Sequence, residues 1–185
     1  MFLIRYRIFG NVDELKKMSV EEFENTFSLG GIAGDIEIQY GSCSVGLYRE
    51  EALWEGAYGW DDIDYWICSL LDVLVVFQMG AGHVAFNLIE DLNRWLEFYR
   101  TASGIVINKV YEVHPILHTN FVVDRNDCFS CNEHCEHIIP FETFRTTILD
   151  TAMRFLHEIG MLNPLLLQTH MISSIAEKID QLTQS

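Results

Sequence analysis

Apolar and polar residues alternate in two distinct periods along this chain. Ile4, Tyr6 and Ile8 alternate with Arg5 and Arg7, the two-residue period of a half-buried strand. Residues 11–27 are polar, with a short helix expected around 20–27, and Gly30, Gly31 and Gly34 mark a loop. Two β-like runs, 35–40 and 43–48, flank Gly41-Ser42 and read as a hairpin. From Ile63 the period lengthens: Ile63, Ile67, Leu70, Leu74 and Phe77 recur at helical spacing, and Trp66, Leu71, Val73, Val75 and Val76 widen the apolar face. Such a helix is mostly buried and lies across a sheet. Asp61 can cap it, Asp64 suits the positive end of its dipole, and Gly80 ends it. Strand-like runs resume at 83–88, 95–100, 105–113, 120–124 and 138–141, with Ser103-Gly104 as a turn. A stripe of Phe144, Ile148, Ala152, Phe155 and Ile159 predicts one helix. Asn163-Pro164 opens another, carrying Leu165, Ile172, Ile175, Ile179 and Leu182. The order predicts an α+β fold with a mainly antiparallel curved sheet packed by one buried central helix and two C-terminal helices. No linker divides residues 1–185, so a single domain is expected.

Composition adds a sign to this body. The 185 residues are 49% hydrophobic and 12% aromatic, too rich for a disordered acidic tail. A domain of this length buries roughly 70% of its unfolded surface. The net charge of −15 must then sit outside a packed core. It repels nucleic acid and anionic membrane and attracts cationic partners. Residues 66–89 are largely apolar, but Asp72 and the Gly80-Ala81-Gly82 break argue against a membrane span. Two arginines interrupt the apolar N-terminus, which does not read as a signal peptide, and a cytoplasmic protein is expected. No phosphate-binding loop, nucleophile elbow or H-E-x-x-H is present; no enzyme and no catalytic residue is predicted.

Charge is also unevenly placed. No lysine or arginine occurs between Arg49 and Arg94, a stretch whose first part interleaves carboxylates with large rings. Glu50, Glu51, Trp54, Glu55, Tyr58, Trp60, Asp61, Asp62 and Asp64 are therefore the candidate partner-binding residues, because Trp and Tyr are favoured hot-spot residues and acidic rims speed capture of basic proteins. The plainer alternative is a solvated loop followed by a helix start, with the aromatic residues in the core.

Residues 128–137 hold three cysteines and two histidines. Cys128, Cys131, Cys135 and His137 are the candidate ligands of a structural zinc ion, with His134 as an alternative to His137. Flanking strands at 120–124 and 138–141 would make the segment a stapled hairpin tip. Only three residues separate Cys131 from Cys135, whereas known zinc folds place about a dozen between ligand pairs. A ligand from His114, His118 or Cys43 is one way to relieve that crowding. Unmetallated thiols and a disulfide are the other readings.

The succession from Gly34-Asp35-Ile36-Glu37-Ile38 through the central helix, the later strands and the Asn163-Pro164 helix start resembles immunity proteins of bacterial polymorphic toxin and contact-dependent inhibition systems. The likeness lies in element order and acidity. It implies a cytoplasmic inhibitor that binds a cognate, basic toxin domain, often a nuclease, and occludes its active site. The alternatives are a zinc-stabilised regulatory or adaptor protein, and an enzyme with an unfamiliar site.

Overall fold

The computed structural model describes residues 1–27, 31–51, 59, 61–88, 93–113, 119–125, 127–133 and 137–184. Two antiparallel sheets share a helical layer. The first contains β1 (Phe2–Ile8), β2 (Ala33–Tyr40) and β3 (Cys43–Leu47), with the two-residue β4 (Asp61–Asp62) also on β2. The second contains β5 (His83–Asn87), β6 (Arg94–Thr101), β7 (Gly104–Glu112), β8 (Phe121–Val123), β9 (Phe129–Glu133) and β10 (Ile138–Ile139). Its order is β10-β7-β6-β5-β8, and β9 lies against β7. Short helices α1 (Val12–Leu15) and α2 (Val20–Thr26) follow β1; α3 (Ile63–Gln78), α4 (Phe141–Leu162) and α5 (His170–Thr183) are the long ones. The α+β class holds, with the strands divided between two sheets.

Each period does the expected work. In β1, Phe2, Ile4 and Tyr6 are buried while Arg5 and Arg7 stand on the other face. In α3, twelve residues from Ile63 to Phe77 are buried, so this helix forms the middle of the core. One cluster joins it to Ile36 and Ile38 of β2, Phe86 of β5, Phe98 of β6, Phe155 of α4 and Ile175 of α5. Gly34 is required where β1, β2 and β4 meet, because a Cβ there would strike the Arg7 carbonyl and the Ile63 side chain.

Several boundaries differ from expectation. Helix α3 starts at Ile63 after Asp62, whose side chain makes no cap bond, and Asp61 lies in β4. The helix expected from Asn163-Pro164 is a short 3-10 turn, Pro164–Gln168, capped by the Asn163 side chain; α5 begins after Thr169. The apolar stretch 66–89 divides between α3 and β5. Among the described residues no helix is long and apolar enough to cross a membrane.

Candidate functional site

The acidic aromatic segment begins on the outer face of the first sheet, and cations meet it there. Arg5 donates to Glu37 directly across the ladder at 2.6 Å and to Glu50 at 2.7 Å, with its guanidinium 4.6 Å over the Tyr48 ring. Arg7 donates to the Glu51 carbonyl at 3.0 Å. Arg49 forms a two-pronged bond to buried Asp35, at 2.6 and 2.8 Å. The run that lacks cations in sequence therefore has two, Arg5 and Arg7, brought beside its first residues in space. Glu50 and Glu51 are exposed, as a partner surface needs.

The later acids are placed differently. Asp61 is buried and Asp62 half-buried. Asp64 has no exposed surface; its carboxylate accepts from the amides of Gly31 at 3.1 Å and Ile32 at 3.2 Å. Burial pushes its pKa up to about 6, against the pull of the Ile32 amide. Asp61 and Asp64 thus correct the expectation of a continuous acidic rim: Asp64 ties the chain entering β2 to the start of α3. Neither can meet a partner in this conformation. Trp54, Glu55, Tyr58 and Trp60 lie outside the described residues. Tyr65 is core, and its hydroxyl donates to the Asn87 carbonyl at 2.9 Å.

The strands flanking the cysteine and histidine segment do not pair with each other as the expected hairpin would require: β8 pairs with β5, β10 pairs with β7, and Phe129–Glu133 forms β9 along β7. The Cys128 thiol donates to Asp127 at 3.5 Å and receives the Arg125 guanidinium, also at 3.5 Å. Cys131 points to the Lys109 carbonyl at 3.7 Å. His137 sits beside the N-terminal amine of Met1, its Nε2 3.3 Å away, and packs over Gly41. The described members of the expected zinc set have these separate partners. Among the described residues no group of three or more His, Cys, Asp or Glu side chains is arranged to hold a metal. Cys135, His134, His114 and His118 lie outside them. Cys43 is disulfide-bonded, while Cys68, Cys128 and Cys131 are not. Disulfides persist in oxidising compartments, so the cysteines lend no weight to a cytoplasmic location.

A polar group on the outer face of the second sheet has no counterpart in the sequence reading. β5, β6 and β7 turn Phe86, Leu96, Phe98, Ile105 and Ile107 toward the helices. Their opposite face carries Ala85, Trp95 and Val110, joined by Val122 and covered in part by Phe129 and Cys131. Within that face Glu97 is 3% exposed. Its Oε1 meets His83 Nε2 at 3.0 Å and accepts from the Tyr99 hydroxyl at 2.9 Å; its Oε2 accepts from Asn108 at 3.4 Å. The His83 amide is held by Asp124 Oδ1 at 3.1 Å, and its ring lies 4.8 Å from that of Tyr99. Glu97, Tyr99, Val106, Asn108, Phe129 and Cys131 line a cleft of 520 Å³. The alternation of Trp95, Glu97 and Tyr99 was the available signal: a carboxylate on the same strand face as two large rings. No protein-family model, curated protein or solved structure matches this chain.

Proposed function

We propose that this protein captures and neutralises a basic protein, as an immunity protein does with its cognate toxin domain. The supporting observation is how its cations are used. Arg5, Arg49 and Lys178 pair with carboxylates. Arg100 and Arg145 donate to the carbonyls of Phe77 and Leu182, and Arg154 to the Tyr6 hydroxyl at 3.2 Å. Meanwhile Asp13, Glu14, Glu21, Glu22 and Glu24 near the N-terminus, Glu50 and Glu51, and Glu142, Asp150, Glu158, Glu177 and Asp180 on the last helices are exposed. The charge of −15 is thus turned outward, and an outward negative field steers cationic proteins into encounter. Neutralisation takes place in the cytoplasm in this reading, where the partner domain would otherwise act.

Coexpression with the domain encoded by the adjacent reading frame tests it. The expected outcome is rescue of growth and a stable complex whose association slows at least tenfold between low and high salt. A double variant, Glu50→Lys with Glu51→Lys, should slow association further if the first-sheet face takes part. A neighbouring domain that is harmless alone, or remains toxic and unbound, overturns the proposal.

A further inference from the structure

We propose that the cleft on the outer face of the second sheet binds a primary alkylammonium group, with Glu97 as its counter-ion. A carboxylate this deeply buried is costly unless compensated. Its partners, His83, Tyr99 and Asn108, supply hydrogen bonds, and among the described residues no lysine or arginine pairs with it; Arg100, which also lines the cleft, donates to the Phe77 carbonyl instead.

The geometry also selects the kind of cation. Oε1 already takes two bonds, whereas Oε2 has only the long 3.4 Å contact from Asn108. One oxygen with spare capacity suits the point charge of an ammonium. A guanidinium would present two parallel donors, and only one would find an acceptor. The cleft is also lined by Tyr99 and Phe129, aromatic rings whose faces attract a cation. Val106 in the same lining offers apolar surface to an alkyl stem. A volume of 520 Å³ lies within the range of small-molecule sites. The group could be the end of a lysine on another protein or a free aliphatic amine, and the chemistry recognised is the same. This inference does not depend on the partner proposed above.

Titration of isotopically labelled protein with n-butylamine, followed by NMR, tests it. Saturable shifts of the Asn108 side-chain amide are expected, with a Kd on the order of 1–10 mM, and n-butylguanidine and n-butanol should bind at least tenfold more weakly. Glu97→Gln should weaken n-butylamine tenfold or more. Val106→Phe, which fills the cleft and leaves the buried network alone, should abolish the shifts and serves if Glu97→Gln does not fold. Tighter binding of N-acetyl-lysine methylamide than of n-butylamine assigns the cleft to a protein's lysine; the reverse order assigns it to a free amine. Equal binding of n-butanol and n-butylamine, or an unchanged titration in Val106→Phe, overturns the proposal.

Discussion

Asp64 has a consequence for stability that can be measured. Its pKa in the folded protein is about 6, raised by burial above the ordinary 3.8. The folded state therefore holds this proton more tightly than the unfolded chain does. The resulting contribution is complete below pH 3.8, declines as pH rises, and is lost above pH 6. A difference of this size corresponds to about 3 kcal/mol. Asp64→Asn keeps an acceptor oxygen for the Gly31 and Ile32 amides and cannot ionise. Urea unfolding between pH 4 and pH 7 should show wild type losing stability relative to the variant as pH rises. Parallel curves would mean that Asp64 does not titrate in this window. Sequence placed Asp64 correctly near the helix start, where a carboxylate suits the dipole. Its bonds run instead to amides some thirty residues earlier, a pairing that no local pattern encodes.

At the scale of elements, α3 and α5 form the seam that closes the core. Ile172, Ile175 and Ile179 of α5 are buried, and Lys178 crosses to α3, 2.8 Å from Asp72 and 2.9 Å from the Cys68 thiol. Burial opposes the charge on Lys178, but Asp72 and Cys68 outweigh it and raise its pKa. The apolar seam should nonetheless dominate. Ile175→Ala removes a fully buried side chain and should cost about 2–5 kcal/mol, while Lys178→Met, whose partner Asp72 is 37% exposed, should cost about 1 kcal/mol or less. Denaturant midpoints for the two variants decide the order. Helices α3, α4 and α5 were legible because their apolar stripes persist over several turns. β9 was not: Phe129–Glu133 is mostly polar with a single cysteine, and it becomes a strand by pairing with the β7 edge beyond β10, Val110 with Cys131 and Tyr111 with Ser130. A strand of that kind is specified by its neighbour more than by its own residues.

Over the whole molecule, like charges repel. A net charge of −15 with its acids mostly outside should destabilise the folded state at low ionic strength, and salt should relieve this. Raising NaCl from 20 to 500 mM is expected to raise the Tm by about 2–4 °C, the shift that roughly 1 kcal/mol produces in a domain of this size. A falling Tm would mean that the internal pairs of Arg5, Arg49 and Lys178 outweigh the repulsion. The same distribution bounds the candidate sites. The acidic run near Glu50 looked unbalanced because β1 lies far from it in sequence; pairing of β1 with β2 brings Arg5 and Arg7 alongside.

The sequence by itself determined the α+β class, the positions of most strands and long helices, the central buried helix and the sign of the surface. These follow from the period of apolar residues and from composition, which are local or additive. Tertiary structure alone decided that the strands form two sheets, that Asp61 and Asp64 are inside, that β9 pairs with the edge of β7, and that Glu97 is buried among His83, Tyr99 and Asn108. Each of these depends on which distant segments share an edge or a face, and the energy of a carboxylate depends on what surrounds it in space.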